Sequence, residues 1–456
     1  MTGSTFHDTT RCFALILLSL LILPLSLTIL LLTCPQSAID KKTILVTGIG
    51  MSKGLTLARA FHLSGHRVIG ADFEDGIIPC PGRFSKSISR FYTLPGRRKN
   101  YISLLVGIVE KESVDLWVSC SGVTSAIEDA LAKKEIESQT RCKCVQFDEK
   151  TTAALHCKDE FTRVCAERGL SVPRSHRVCS AGEEERGKER RYILKPTDVN
   201  DIYRANMTLL PLPTPSQTSS KSSSPWILQE YIGGKEEYCT HSLVVRGEIK
   251  CFVACPSQEL LMHYVPLQPT DARWRAMRKF TEGFLERWGN GEKEMLTGHL
   301  SFDFMAKRDE EDGVYAIECN PRAHTAVVLF GKEVVEGYLS VLDTNTNTKK
   351  GGKQEGKEEE ELLSPSPLTT KPRYWIGHDL ITLIIHPLFT LSMDFESVKT
   401  FFQHVFTWKE GTFESWDPLP ALVLYHVYWP LTILSAWWGG RRWSRVNVST
   451  TKMFSC

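Results

Sequence analysis

The chain has 456 residues, which is long enough for two or three domains with buried cores. Its net charge of +2 gives no basic bias, so the composition predicts no nucleic-acid partner. The 14 cysteines lack the paired spacing of zinc sites and the 13 histidines form no cluster along the chain. The sequence therefore predicts scattered, reduced thiols and no metal site built on histidine.

An uncharged apolar run lies between Cys12 and Cys34 and is dominated by Leu and Ile. A helix of about 20 apolar residues spans the core of a bilayer. A signal peptide is the alternative, but no convincing cleavage site precedes Ile39. We therefore expect residues 1–40 to form an uncleaved transmembrane anchor. The charges on its two sides favour, only slightly, a catalytic region in the cytosol.

Residues 41–150 alternate short apolar runs with amphipathic segments. The runs ILVTG and RVIGADF are typical of parallel strands, and the helix between them follows a turn that contains Gly48, Gly50 and Gly54. Two further helix–strand pairs follow and end at CKCVQF. This rhythm predicts a doubly wound α/β domain.

Residues 151–345 begin with a helical segment, TTAALHCKDEFTRVCAERGL, and continue mainly as strands. We expect these strands to pair mostly antiparallel: RRYILKP, WILQEYI, SLVVRGEIKCFVAC, GHLSFDFMAKR and VYAIECN. The Pro/Ser-rich stretch 211–225 predicts a disordered insertion, and residues 346–372 predict a low-complexity linker.

Residues 373–456 are rich in aromatic and aliphatic side chains. The stretch 419–438 is long enough to span a membrane, but spanning would carry Arg441 and Arg442 to the side opposite the catalytic region. We therefore favour a helix that lies in the membrane interface, with spanning as the alternative.

The strongest chemical signal is a group of oxygen-bearing side chains on two neighbouring strands. Asp303 lies on the first strand, and Glu318 and Asn320 lie two residues apart on the second, so they face the same side. Three hard oxygen ligands suit magnesium that bridges nucleotide phosphates. Arg322 follows where it could bind a phosphate or a carboxylate in a fork.

Two further features precede this group along the chain. The strand WILQEYI breaks at Gly233-Gly234, so the backbone of residues 230–232 could contact the edge of an adenine, and Glu237 could accept from ribose hydroxyls. Lys158 and Lys195 lie ahead of this hinge and are candidate phosphate ligands.

The order lysine, lysine, hinge, Asp and Glu-x-Asn is similar to that of ATP-grasp enzymes, over residues 43–345. The chain further resembles the mycosporine-glycine synthases, which are ATP-grasp ligases. The segments that carry this closer resemblance are RFSKSISRFYTLP, RRYILK, PWILQEYIGGKEEYCTHS, YAIECNPRAHTAVVLF and PRYWIGHDL. The apolar N-terminus and the tail match as well.

The resemblance implies an ATP-grasp fold, of mixed α/β and α+β class, preceded by the doubly wound α/β domain, and ATP bound between two antiparallel sheets. It implies that Lys158 and Lys195 bind the phosphates. The remaining implied contacts are Gln229, Glu230, Tyr231 and Ile232 on the adenine, Glu237 on the ribose, Asp303, Glu318 and Asn320 on Mg²⁺ or Mn²⁺, and Arg322 with Asn320 in catalysis.

The sequence departs from the family pattern in two places. Residues 196–208 contain no glycine where most ATP-grasp enzymes carry a glycine-rich loop, and we hypothesise that Arg204 supplies the charge of that loop. Ser301 stands where some carboxylate–amine ligases have an Arg. His324, two residues after Arg322, is a further candidate for contact with the acceptor.

The implied reaction transfers phosphate from ATP to the enol(ate) oxygen of a cyclohexenone, 4-deoxygadusol, and the amine of glycine then displaces the phosphate. One alternative is a carboxylate–amine ligase that forms an acyl phosphate. A second is a nicotinamide-dependent oxidoreductase that uses the glycine turn and Asp72. A third is a membrane-held pseudoenzyme. The expected partners are small-molecule substrates and membrane lipid, with no nucleic acid.

Overall fold

The computed structural model describes residues 14, 16–24, 26, 28, 41–74, 76–95, 100–122, 125–177, 192–196, 208–210, 226–233, 236–257, 262–288, 295–307, 313–343, 362–366 and 369–455. Arg204, Gly234, the predicted insertion at 211–225 and residues 346–361 of the predicted linker lie outside the described residues.

The first unit is a parallel five-stranded sheet with the strand order β3-β2-β1-β4-β5. Its strands are β1 (Thr43–Thr47), β2 (Arg67–Phe73), β3 (Arg90–Leu94), β4 (Leu116–Ser119) and β5 (Lys143–Val145). This confirms the predicted α/β class with a parallel sheet. Strand β3 has no apolar run that would indicate it, because it is an edge strand in which only Leu94 is buried.

Three helices connect these strands: α2 (Ser52–Leu63), α3 (Tyr101–Glu112) and α4 (Ala126–Gln139). Two more follow, α5 (Glu149–His156) and α6 (Lys158–Glu167), and they lead to the antiparallel part of the chain. The described part of the N-terminal run forms α1 (16–24).

Two four-stranded antiparallel sheets follow. The first has the order β6-β9-β7-β8 and the second β11-β10-β13-β14. Their strands are β6 (Ser175–Arg177), β7 (Tyr192–Pro196), β8 (Thr208–Leu210), β9 (Trp226–Glu230), β10 (Glu236–Val245), β11 (Glu248–Pro256), β13 (Gly298–Ala306) and β14 (Val314–Asn320). Helices α7 (Ala272–Arg287) and α8 (Val334–Leu339) accompany the second sheet.

The C-terminal region packs into the body of the protein. Strands β12 (His263–Tyr264), β15 (Arg373–Tyr374) and β16 (Lys409–Glu410) form one small sheet, and β17 (Trp443–Asn447) with β18 (Lys452–Ser455) forms a hairpin. The helices of this region are α9 (Ile376–Phe389), α10 (Phe395–Thr407) and α11 (Leu419–Trp438).

One hydrophobic cluster joins this region to the five-stranded parallel sheet and to the antiparallel sheet β11-β10-β13-β14. Trp375 is fully buried in it together with Phe61 of α2 and Val253 of β11. A buried ion pair adds to the junction, since Arg59 Nε lies 2.8 Å from Asp417 Oδ2. The removal of either partner would leave an uncompensated buried charge, so this pair ties α2 firmly to the C-terminal region.

The predicted N-terminal anchor at residues 1–40 is not supported. Among the described residues, the one helix long and apolar enough to cross a membrane is α11. The described part of the N-terminal run packs against α11 through polar contacts. His426 Nδ1 lies 2.7 Å from Ser19 Oγ, and its Nε2 lies 2.9 Å from Ser26 Oγ. One face of α1 is therefore occupied by protein.

Candidate functional site

Asp303, Glu318 and Asn320 converge on one face of the second antiparallel sheet. Strands β13 and β14 pair so that Asp303 stands opposite Glu318 and Ser301 opposite Asn320. The Asn320 side-chain amide donates to Asp303 Oδ2 at 3.0 Å. The strand register shifts directly after Asp303. Such an irregularity changes the direction of the neighbouring side chains.

Electrostatics at this face favour a bound cation. Burial, followed by the neighbouring Glu318 carboxylate, raises the pKa of Asp303 above its usual range, while Arg322 and Lys158 act in the opposite direction. Glu237 on β10 adds further negative charge. A divalent ion would offset the repulsion between these carboxylates, and their oxygen donors suit Mg²⁺.

Two basic side chains flank the acidic group. The Arg322 guanidinium donates to Asn320 Oδ1, and Ser301 Oγ donates to the Arg322 carbonyl oxygen at 3.1 Å. Lys158 begins α6, and its Nζ lies 3.0 Å from Glu318 Oε2. The structure thus brings together five predicted site residues around Asp303: Lys158, Glu237, Glu318, Asn320 and Arg322.

The hinge residues lie at the end of the other antiparallel sheet. Lys195 on β7 donates from Nζ to Gln229 Oε1 at 2.8 Å, and Gln229 is itself buried. Strand β9 ends at Glu230, and Tyr231 and Ile232 follow, half-buried, outside regular structure. Gly233 has a φ of +70°, a conformation that favours glycine, so the chain can turn there into β10.

The site also contains a residue that the sequence analysis missed. Lys53, in the first turn of α2, is 4% exposed and donates from Nζ to the carbonyl oxygens of Ser121 at 3.2 Å and Ala323 at 2.9 Å. Burial, with a further contribution from Arg322, lowers its pKa to about 8. Its position inside the glycine turn GMSKG was the available signal, because side chains there face the carboxyl ends of the strands.

A cleft of about 670 Å³ opens beside Lys53 at the carboxyl edge of the parallel sheet. Its polar lining includes Asp72, Tyr101, Ser121, Ser125 and Arg441. The strand order reverses between β1 and β4, and open α/β sheets bind ligands at such a switch point. Lys53 therefore lies between this cleft and the acidic face.

The glycines of the first turn are explained by close packing. Gly48 has a φ of +74°, and a Cβ there would lie 2.6 Å from the carbonyl oxygen of Cys120. A Cβ on Gly54 would lie 2.3 Å from the carbonyl oxygen of Gly48. The Gly50 N–H donates to Asp72 Oδ2 at 2.6 Å. This N–H is thus already bonded to a carboxylate, which weighs against a dinucleotide phosphate at the turn.

Burial has a marked effect on Asp72 itself. It raises the pKa of this carboxyl to about 6, although the N–H groups of Gly50 and Phe73 bond to it. A carboxyl with such a pKa exchanges its proton close to neutral pH, so the cleft contains a group suited to proton transfer.

No family model and no curated protein matches the chain. Among solved structures, an N5-carboxyaminoimidazole ribonucleotide synthetase in complex with ADP is 14% identical, with 64% of this chain and 73% of that chain covered and a TM-score of 0.47. The L-amino acid ligase from Bacillus licheniformis is 12% identical, with coverage of 67% and 70% and a TM-score of 0.44. A biotin carboxylase–ATP complex from Campylobacter jejuni is 15% identical, with coverage of 66% and 70% and a TM-score of 0.48. At this distance the likenesses define neither the fold nor the activity of this chain.

Proposed function

We propose that this chain is an ATP-dependent ligase of the ATP-grasp type. The observation that carries the proposal is the group formed by Asp303, Glu318 and Asn320, with Arg322 and Lys158 in contact with it. Three oxygen donors beside two cations form a suitable environment for the phosphates of a metal-bound nucleotide. The hinge at residues 230–232 ends the other antiparallel sheet and supports adenine binding there.

Asp303, Glu318 and Asn320 would hold Mg²⁺ or Mn²⁺, which when bound neutralises charge on the nucleotide phosphates. Lys158, now paired with Glu318, and Lys195, now bonded to Gln229, would turn to the phosphates. Arg322 would then offset the charge that develops on the transferring phosphoryl group.

The acceptor would bind in the cleft beside Lys53. An acceptor oxygen attacks the γ-phosphorus of ATP, and ADP leaves. The nitrogen of an amine then bonds to the carbon that bears the phosphorylated oxygen, phosphate leaves with the electron pair of the C–O bond, and the amine loses a proton. The position of Lys53, bonded to the loop after Arg322 and to the rim of the cleft, supports this division into two subsites.

The reaction could use either of two acceptor classes. A carboxylate would give an acyl phosphate and then an amide. A cyclohexenone enol(ate) such as 4-deoxygadusol would give, with glycine, an enaminone. The sequence segments that resemble mycosporine-glycine synthases favour the cyclohexenone.

The test is an incubation of the purified chain with ATP, Mg²⁺, a panel of amino acids and either 4-deoxygadusol or simple carboxylates. We expect ADP, phosphate and a product whose mass identifies the acceptor. Glu318→Gln should lower the rate by about two orders of magnitude. Glu248→Gln, an exposed change on β11 of the same sheet, should not. ADP formation that is equal in both variants would contradict the proposed metal site.

We also propose that the protein binds a membrane through its C-terminal region. Phe395, Phe402 and Phe406 lie on one face of α10, and Leu391 before it is 94% exposed. Soluble monomers rarely expose a contiguous apolar patch of this kind. Helix α11 adds the exposed Trp437 and Trp438, and aromatic side chains of this type favour the interface between lipid and water. Because Trp429 and Ile433 of α11 are buried in the protein, an interfacial position fits better than a spanning one.

Liposome flotation of the full chain tests the membrane proposal. Phe402→Ser combined with Phe406→Ser should lower the membrane partition constant by at least about 100-fold and remove most of the bound fraction, since each substitution removes about 2 kcal/mol of apolar burial in lipid. Gln403→Ser, an exposed polar change on the same helix, should have no effect. Equal flotation of all three proteins would exclude α10 as a membrane contact.

A further inference from the structure

Three side chains that are far apart in the sequence meet where the C-terminal region joins the rest of the protein. His263 lies on β12, Asp379 in α9 and His404 in α10. His263 Nε2 is 2.6 Å from Asp379 Oδ1, and His404 Nδ1 is 2.6 Å from Asp379 Oδ2. The three possible ligand atoms lie within 4.8 Å of one another.

The carboxylate at the centre of this group is withdrawn from water. Asp379 is 0% exposed and His404 is 8% exposed. Trp408 packs against both histidine rings, Tyr374 packs against His404, and His378 packs against His263. Burying a carboxylate is costly unless it is hydrogen-bonded or paired with a positive charge.

Within the described part of the chain, the side chains found around Asp379 are imidazoles and aromatic rings, with no lysine or arginine bonded to it. A divalent cation bound by the two imidazoles and the carboxylate would supply a positive charge at this buried group.

We propose that His263, Asp379 and His404 form a binding site for a divalent transition metal ion of the Zn²⁺ type. Two imidazole nitrogens and one carboxylate oxygen are a donor set that such ions accept, and a fourth position remains for water or another ligand. The site is separate from the acidic face at Asp303 and independent of the proposed ligase activity. It would clamp α9 and α10 to β12, because its ligands come from all three elements.

The alternative is that the three side chains form a hydrogen-bonded clasp, a cluster that holds β12, α9 and α10 together with no metal bound. In that case one imidazole is protonated and the group responds to pH but not to metal. The two accounts differ in metal content, in cobalt spectra and in the effect of a chelator on thermal unfolding.

The experiment uses the full chain, stripped with a chelator and dialysed against a low concentration of Zn²⁺. We expect about one bound equivalent by elemental analysis in wild type. Substitution with Co²⁺ should give the visible absorption of a low-coordinate site, and Zn²⁺ should raise the melting temperature. His263→Gln should lose the tight binding, the absorption and the thermal shift. His263 is the least buried of the three residues, so this variant retains the core.

His386→Gln is the matched control, because His386 is an exposed residue of the same helix as Asp379 and lies outside the cluster. It should behave like wild type. The proposal is overturned if wild type binds no Zn²⁺ after dialysis, or if His263→Gln binds as much as wild type. A melting temperature that depends on pH in wild type but never on metal would establish the clasp instead.

Discussion

The ammonium group of Lys53 is buried between the parallel sheet and the loop that follows the Glu-x-Asn strand. Burial lowers its pKa to about 8 in the folded protein, whereas an unfolded lysine has a pKa of about 10.4. Between these values the unfolded chain binds the proton and the folded protein has lost it. The contribution of Lys53 to the free energy of unfolding therefore rises with pH through this window.

We predict that Lys53→Met removes this pH dependence. The free energy of unfolding of wild type, relative to the variant, should increase by up to about 3 kcal/mol between pH 7.5 and 10.5. Urea denaturation at several pH values measures the difference. Lys41→Met, at an exposed lysine, is the control and should keep the wild-type profile. A constant difference between wild type and Lys53→Met across the window would show that the buried group does not titrate there.

The sequence predicted the position of some functional residues but not of others. Glu318 and Asn320 could be placed on one face because the two-residue period of a strand is a local property. The burial of Lys53 could not be predicted, because it depends on contacts with residues 121 and 323. The meeting of His263 with Asp379 was missed for the same reason, because 116 residues separate them along the chain.

At the scale of elements, the first turn of the parallel sheet depends on glycine. Gly48 has a φ of +74°, and a Cβ there would lie 2.6 Å from a backbone oxygen. We expect Gly48→Ala to lower the free energy of unfolding by about 1–3 kcal/mol, since both the backbone conformation and the contact are unfavourable.

Gly107→Ala is the control for Gly48→Ala. Gly107 lies in the interior of α3, where a Cβ would meet nothing within 4 Å. Alanine should raise the free energy of unfolding there by about 0.5–1 kcal/mol, because it restricts the unfolded chain and favours the helix. Guanidinium denaturation compares the two variants, and equal effects would mean that the turn is not packed as described.

Strands with a clear hydrophobic pattern could be predicted from the sequence, and strands without such a pattern were missed. Residues 302–306 of β13 and 314–317 of β14 alternate buried and half-buried positions, and the parallel strands β1 and β4 are short apolar runs. Strand β3 has neither pattern, because its position at the sheet edge leaves most of its side chains partly exposed.

At the scale of the whole molecule, the C-terminal region belongs to the same core as the parallel sheet. The Trp375 indole N–H donates to Ser52 Oγ at 3.1 Å, and Arg59 binds Asp417. Composition alone indicated a region rich in aromatic side chains but could not distinguish those that pack inward from those that face outward. The cleft beside the parallel sheet depends on this packing, since α11 contributes Tyr428 to its lining.

We expect the face around Asp303 to bind a nucleotide through a divalent ion. Calorimetric titration with a non-hydrolysable ATP analogue, with Mg²⁺ or with a chelator, tests it most directly. Wild type and Glu248→Gln should bind the analogue at least about 10-fold more tightly with Mg²⁺ than with the chelator, and Glu318→Gln should have lost this dependence on Mg²⁺. Equal affinity in all three proteins with and without Mg²⁺, or no binding to wild type, would contradict it.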